Sequence, residues 1–170
     1  FRLARRLGAT GLESDVWLTS DGVAVLDHDG LVGPLLRRKP IRSMTRVDLP
    51  AHIPTLAELY DECGTDFDLS LDIKDDDAAP EVIRVARAYA AESRLWLCHG
   101  DHERVATWRA LSADARLVDS TRIKKMREGP ELRAAALVEA GIDAVNLHRS
   151  DWSGGLIAMF LVATEQPLRR

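Results

Sequence analysis

At 170 residues the chain is long enough for one domain with a substantial core, and an apolar content of 46% fits a folded globular protein rather than a disordered one. Its 23 basic and 27 acidic residues are well mixed and sum to a formal net charge of -4, so no basic face suits nucleic acid and no polybasic run suits a membrane surface. No stretch approaches the roughly 18 apolar residues of a membrane span, no signal peptide is visible, and Cys63 and Cys98 form no C-x-x-C pair; reduced core thiols and a cytoplasmic location are the expectation.

Taken in chain order, Ala9 to Leu18 reads as a strand, Thr19-Ser20-Asp21-Gly22 supplies turn chemistry, and Val23 to Leu26 returns as a second strand, a predicted hairpin. A loop rich in Pro, Arg and Gly covers Gly30 to His52. The run "IPTLAELYDECG" then has the apolar spacing of a short amphipathic helix, with Thr55 as N-cap and Gly64 as stop. "FDLSLDIK" alternates with period two. After it come a helix over Glu81 to Ala91, the strand "RLWLC", a helix over His102 to Leu111, the strand "ARLVD", a helix over Glu131 to Ala140 and the strand "IDAVNL". "LIAMFLVATEQPLRR" reads as a helix and a tail. Strands separated by helices of about ten residues indicate βα units and a mostly parallel sheet in a single α/β domain over residues 1–170.

The segment Gly11 to Gly30 places five acidic residues and a histidine among residues that belong in a core. On a strand, residues two apart share a face, so Glu13 and Asp15 project together while Leu12, Ser14 and Val16 face the other way. The same period puts Asp72 and Lys74 on one side at the end of the next parallel strand, where α/β folds build their sites. Three converging carboxylates repel one another unless a cation sits between them, and hard oxygen ligands favour Mg²⁺ or Ca²⁺. His28, just past the hairpin, supplies a proton-transfer group. The plainer alternatives are a solvated strand face for Glu13 and Asp15, a polar turn for "DHDG", a surface ion pair for Asp72 and Lys74, and an acidic first helical turn for Asp75-Asp76-Asp77.

Farther along, "CHGDH" is read as a pocket rim at His99 with Asp101 capping the next helix, rather than as a zinc site. Asn146 and His148 end the "IDAVNL" strand and Trp152 follows in the loop, a position suited to substrate contact. The four tryptophans are read as packing residues.

Gly11-Leu12-Glu13-Ser14-Asp15-Val16, Thr19, Asp21-Gly22, Val25 and His28-Asp29, followed by Ile53-Pro54-Thr55-Leu56 with Glu58 and then by Asp72-Ile73-Lys74, together resemble the glycerophosphodiester phosphodiesterase family of phospholipase C-like barrels. The resemblance implies a TIM-type (β/α) barrel in which Glu13 and Asp15, with Asp72 at a position the family fills with glutamate, hold one divalent metal. It also implies that Lys74 neutralises phosphate charge and that His28 is one of two acid/base histidines. The implied reaction is metal-dependent hydrolysis of a small glycerophosphodiester to an alcohol and sn-glycerol 3-phosphate, or the related chemistry of a phospholipase of the same barrel type.

A closed barrel takes roughly 250 residues, and this chain shows about five of eight βα units. The family's opening H-R-G strand and its last strands are not recognisable in it. The expectation is therefore a partial barrel truncated at both ends: a fragment, a member that retains the fold and ligand binding without turnover, or a barrel completed by a partner or by self-association.

Overall fold

The chain is seen in a computed structural model that describes residues 1–165. A short helix α1 (Arg2–Arg6) leads into strand β1 (Gly11–Leu18), which turns back through β2 (Ala24–Leu26) with antiparallel register Val16 to Leu26. The turn is made as its residues dictate. Thr19 Oγ1 donates to Asp21 Oδ1 at 2.6 Å, Val23 N donates to Thr19 Oγ1, and Gly22 sits at φ +80°.

The predicted irregular segment contains a small antiparallel pair, β3 (Leu31–Val32) with β4 (Lys39–Pro40), and three single-turn 3₁₀ helices. Ile41 and Leu49 from it, with Ile53 just beyond, bury against Val25 in a minor core of their own, which gives a loop of this length its order.

Five βα steps follow the pattern read from the sequence. Helix α2 (Leu56–Cys63) precedes β5 (Asp68–Ile73); α3 (Ala78–Ala88) precedes β6 (Leu95–His99); α4 (His102–Thr107) precedes β7 (Arg116–Thr121); α5 (Pro130–Glu139) precedes β8 (Ala144–Leu147); and α6 (Gly154–Glu165) ends the described chain. The predicted tail beyond Glu165 lies outside the described residues. The sheet order is β2-β1-β5-β6-β7-β8, with β1, β5, β6, β7 and β8 parallel. Among the described residues the sheet stays open, with β2 and β8 at its edges.

Alternation decides which face is covered. In β5, Leu69, Leu71 and Ile73 are buried while Ser70 and Asp72 are not. The buried set joins Val16, Leu97 and Leu117 of neighbouring strands and Leu56, Val82, Ile83 and Leu137 of the helices in one continuous core. The opposite face keeps Glu13, Asp15, Ser70 and Asp72. Helix α3 begins three residues earlier than its apolar period suggests, because Pro80 falls in the first turn, where a missing N–H costs nothing.

Helix α2 carries the predicted caps. Thr55 Oγ1 accepts from Glu58 N at 3.0 Å, Glu58 Oε2 accepts from Thr55 N at 2.7 Å, and Gly64 ends the helix at φ +71°. The Thr55 amide, then burial working against it, then Arg46 act on Glu58, and the net effect lowers its pKa below 4.5. A depressed carboxylate pKa stabilises the fold above the unfolded-state value and loses that contribution as pH falls through the folded-state value. The melting temperature of Glu58→Gln should therefore lie below that of the parent at pH 7, and the gap should close at acid pH. A gap that is constant with pH would assign the effect to shape rather than charge.

Candidate active site

Strands β1 and β5 pair so that Asp15 lies directly across from Asp72 and Glu13 from Ser70. Two carboxylates are thus brought side by side by backbone register, and only a positive charge makes that arrangement tolerable. Lys74, just past the end of β5, supplies it: its Nζ donates to Asp15 Oδ1 and to Asp72 Oδ2, both at 3.0 Å. Burial works to lower the Lys74 pKa, and the bonds to both aspartates outweigh it, so the ammonium is held more firmly than usual. Glu13 moves the other way. Burial first, then the charges of Asp15 and Asp72, raise its pKa. The structure therefore brings Glu13, Asp15, Asp72 and Lys74 into one cluster.

His28 is held beside it by a tight turn. Asp27 N donates to Asp15 O at 3.2 Å, and the Asp27 carboxylate accepts from the amides of Asp29 and Gly30 at 3.1 and 2.8 Å. The Trp17 indole donates to Asp27 O at 2.9 Å and closes the turn from below. The imidazole is exposed, with Nδ1 2.9 Å from Asp29 Oδ1. That bond, and then the charge of Asp15, raise its pKa above 6.5. Gly30 makes the turn possible: it has φ +66°, and a Cβ there would lie 2.4 Å from the Trp17 ring. Gly30→Ala should cost about 1–3 kcal/mol in chemical denaturation by overpacking and strain. Unchanged stability would show that the turn can reopen freely.

The cavity next to Lys74 is lined by Asp72, Ile73, Cys98, His99, Gly100 and Ser120. Cys98 stands across from Asp72 in register, and burial pushes its pKa up to about 11, so it presents a neutral thiol. This residue was not identified as a site candidate from sequence, although the β5 and β6 periods contain the signal. His99 does take the rim position. Its Nε2 lies 3.9 Å from Asp76, which also pairs with Arg104 at 3.1 Å, and Asp101 caps α4 through Glu103 N and Arg104 N. The Asp75-Asp76-Asp77 run is thus more than a first helical turn: α3 starts after it, Asp75 is buried, and Asp76 ties the loop after β5 to the end of β6 and to α4.

The later candidates separate. Asn146 donates to Ser120 Oγ at 3.3 Å and lines an adjoining hollow with Ser70, Trp96 and Cys98. His148 turns on Ser150, with Nδ1 2.8 Å from its Oγ. Trp152 packs edge-on against Phe160 of α6, in an apolar recess with Leu137 and Val145. The structure therefore does not bring Trp152 to the carboxylates.

In donor chemistry Glu13, Asp15 and Asp72 suit a hard divalent cation. Their spacing does not. Among the described residues no three His, Cys, Asp or Glu side chains group closely enough to share a metal ion, and Lys74 occupies both aspartates.

Residues 1–148 match the Glycerophosphoryl diester phosphodiesterase family. The chain belongs to that family. Among curated proteins, none matches it significantly. Solved family structures share its fold at low identity. A glycerophosphoryl diester phosphodiesterase-family protein from Silicibacter pomeroyi aligns with a TM-score of 0.82 at 18% identity, covering 95% of this chain and 73% of that one. An Oleispira antarctica phosphodiesterase, in complex with the product sn-glycerol-3-phosphate, gives 0.77 at 16%, covering 96% and 73%. The glycerophosphodiester phosphodiesterase of Thermotoga maritima gives 0.76 at 20%, covering 96% and 74%. At these identities the likeness shows the fold, and the open five-stranded parallel sheet is part of the TIM-type barrel of this family. No helix among the described residues is long and apolar enough to cross a membrane.

Proposed function

We propose that this family member hydrolyses small glycerophosphodiesters, releasing an alcohol and sn-glycerol 3-phosphate. The observation that carries the reading is the Asp15–Lys74–Asp72 bridge beside the His28 turn, in a chain whose family is defined by phosphodiester cleavage. An ammonium has three N–H donors, and two of those on Lys74 are taken by aspartates. The third is available to a phosphoryl oxygen in the open cavity, where charge developing in the transition state would be met. Water attacks phosphorus and loses one proton to solvent, the bond from phosphorus to the alcohol oxygen breaks, and protonated His28 gives its proton to that oxygen and is left neutral.

For a divalent cation, Mg²⁺ or Ca²⁺, the support is the donor chemistry of Glu13, Asp15 and Asp72; when bound, it would supply charge neutralisation of the phosphodiester. The substrate would be a small polar molecule, and the open edge at β8 is where a partner or a second copy would complete the barrel.

The test is release of sn-glycerol 3-phosphate from a panel of glycerophosphodiesters with Mg²⁺, with Ca²⁺ and with EDTA. Turnover abolished by EDTA supports the metal-dependent hydrolase. Folded protein that binds sn-glycerol 3-phosphate without turnover would instead make this a binding member of the family.

A further inference from the structure

The segment from Gly30 to Val47 carries five basic residues and no acidic one, in a chain whose formal net charge is -4. Averaged over the whole sequence the charges look evenly mixed, and the fold shows where they are not. Arg37, Arg38 and Lys39 are all exposed along the tip and return strand of the β3–β4 hairpin. Leu36 stands beside them 95% exposed, and Leu31, where the hairpin begins, is 44% exposed. Among the described residues neither Arg37 nor Lys39 has a salt-bridge partner, whereas Arg38 reaches Asp29 at 3.7 Å. The hairpin is held firmly enough to present these groups. Val32 packs on the minor core that contains Ile41, Ile41 N donates to Gly30 O at 2.9 Å, and Arg37 N donates to Pro34 O at 2.7 Å. Gly33, at φ +113°, closes the turn so tightly that a Cβ there would lie 3.1 Å from Arg37 O.

We infer that the β3–β4 hairpin docks on the surface of an anionic lipid bilayer, with Leu36 entering the boundary between headgroups and acyl chains and Arg37 and Lys39 paired with headgroup phosphates. The partner follows from the two chemistries standing side by side. A nucleic acid would match the charges and leave Leu36 in water, whereas a bilayer offers an anionic layer directly above hydrocarbon. The long stems of Arg37 and Lys39 let their charges stay at headgroup level while a neighbouring leucine goes deeper. One leucine and a few charges make the attachment reversible. The hairpin grows from the rim of the candidate site: Arg38 meets Asp29 next to His28, and Arg42 Nε lies 3.9 Å from Asp75 Oδ2 in the loop after β5. Docking therefore sets the His28 turn close to the headgroups. The inference stands apart from the hydrolase reading, because it is read by binding and not by turnover.

The experiment is sedimentation of the whole chain with vesicles of phosphatidylcholine alone and of phosphatidylcholine mixed about three to one with phosphatidylglycerol, at low and at physiological salt. The expected result is binding to the mixed vesicles that weakens as salt rises, with little binding to phosphatidylcholine alone. Arg37→Gln combined with Lys39→Gln should lower the partition coefficient about twenty-fold, near five-fold for each charge. Leu36→Ser should lower it about ten-fold. Leu132→Ser is the control: that leucine is 64% exposed on α5, which precedes the opposite edge strand β8, and its loss should change nothing. All of these side chains are exposed, so each variant should melt with the parent by circular dichroism. No binding of the parent to mixed vesicles at low salt overturns the inference, and so does equal binding to both kinds of vesicle. A loss in Leu132→Ser as large as that in Leu36→Ser would show general adsorption and overturn it too. Binding that survives in Leu36→Ser and is competed away by polyglutamate or DNA would assign the basic residues to a soluble polyanion and overturn the bilayer as partner.

Discussion

Replacing Arg133 with alanine is expected to remove about 3–5 kcal/mol of stability, enough to unfold a marginal domain, because it strands a charge in the core. Asp119 on β7 points to the helix-covered face and is fully buried, and Arg133 of α5, 8% exposed, reaches it at 3.1 Å. The same guanidinium bonds Glu128 in the loop after β7 and lies 2.7 Å from His102 Nδ1 at the start of α4. One side chain therefore ties a strand, a helix start and a loop. Asp119 Oδ1 has no partner even so. Burial raises the Asp119 pKa, with Arg133 and then His102 opposing. A carboxylate whose folded pKa is raised costs stability above that pKa, and the cost is relieved as pH falls toward the unfolded value of 3.8. The deficit of Arg133→Ala measured by urea denaturation should accordingly be largest near neutrality and shrink in acid. The paired change Asp119→Val with Arg133→Met should recover most of it, since removing both charges is far cheaper than removing one. A loss below about 1 kcal/mol would mean that water reaches Asp119 when Arg133 is gone.

That cluster also marks where sequence reading stops. The strand and helix order was legible because periods of two and of three to four residues survive in the chain from β1 to α5, and because Thr55 and Gly64 carry unambiguous cap chemistry. The placement of Glu13 and Asp15 on one face, and of Asp72 with Lys74, followed from the same period. Their convergence required the parallel register of β1 with β5, which a single sequence does not state. Arg133, by contrast, sits in a helix among alanines and acidic residues and reads as a solvated position. Nothing local indicates that a buried aspartate 14 residues earlier is waiting for it. Trp152 is ambiguous for a related reason: an aromatic in a loop after a strand suits a pocket rim as well as a contact with the following helix, and its contact with Phe160 is visible only once α6 is in place. A pairing of Lys74 with Asp72 was among the readings the sequence allowed, but its second bond, to Asp15, was not, because that depends on where the chain turns after β5.

His28→Gln should lower turnover of a glycerophosphodiester by about 100-fold or more, the contribution expected of a positioned general acid, while leaving the affinity for sn-glycerol 3-phosphate nearly unchanged. The imidazole is exposed and its bond is to the likewise surface-placed Asp29, so the substitution should cost little stability. The pH profile carries the sharper test. The bond to Asp29, and then the charges of Asp15 and Asp29, hold the proton on His28 at pH values above 6.5. A group that acts as an acid works below its pKa, so activity should fall as pH rises through that raised value, giving an alkaline limb. Asp29→Asn removes the carboxylate at 2.9 Å and should slide that limb to lower pH without abolishing the maximum rate. Asp15→Asn would also move it, but with loss of the Lys74 bridge, so Asp29 is the cleaner handle. A limb that stays in place in Asp29→Asn would take the proton-donor role away from His28. Full activity in His28→Gln would remove it from the reaction altogether and direct the search to His99, the imidazole that lines the same cavity as Lys74.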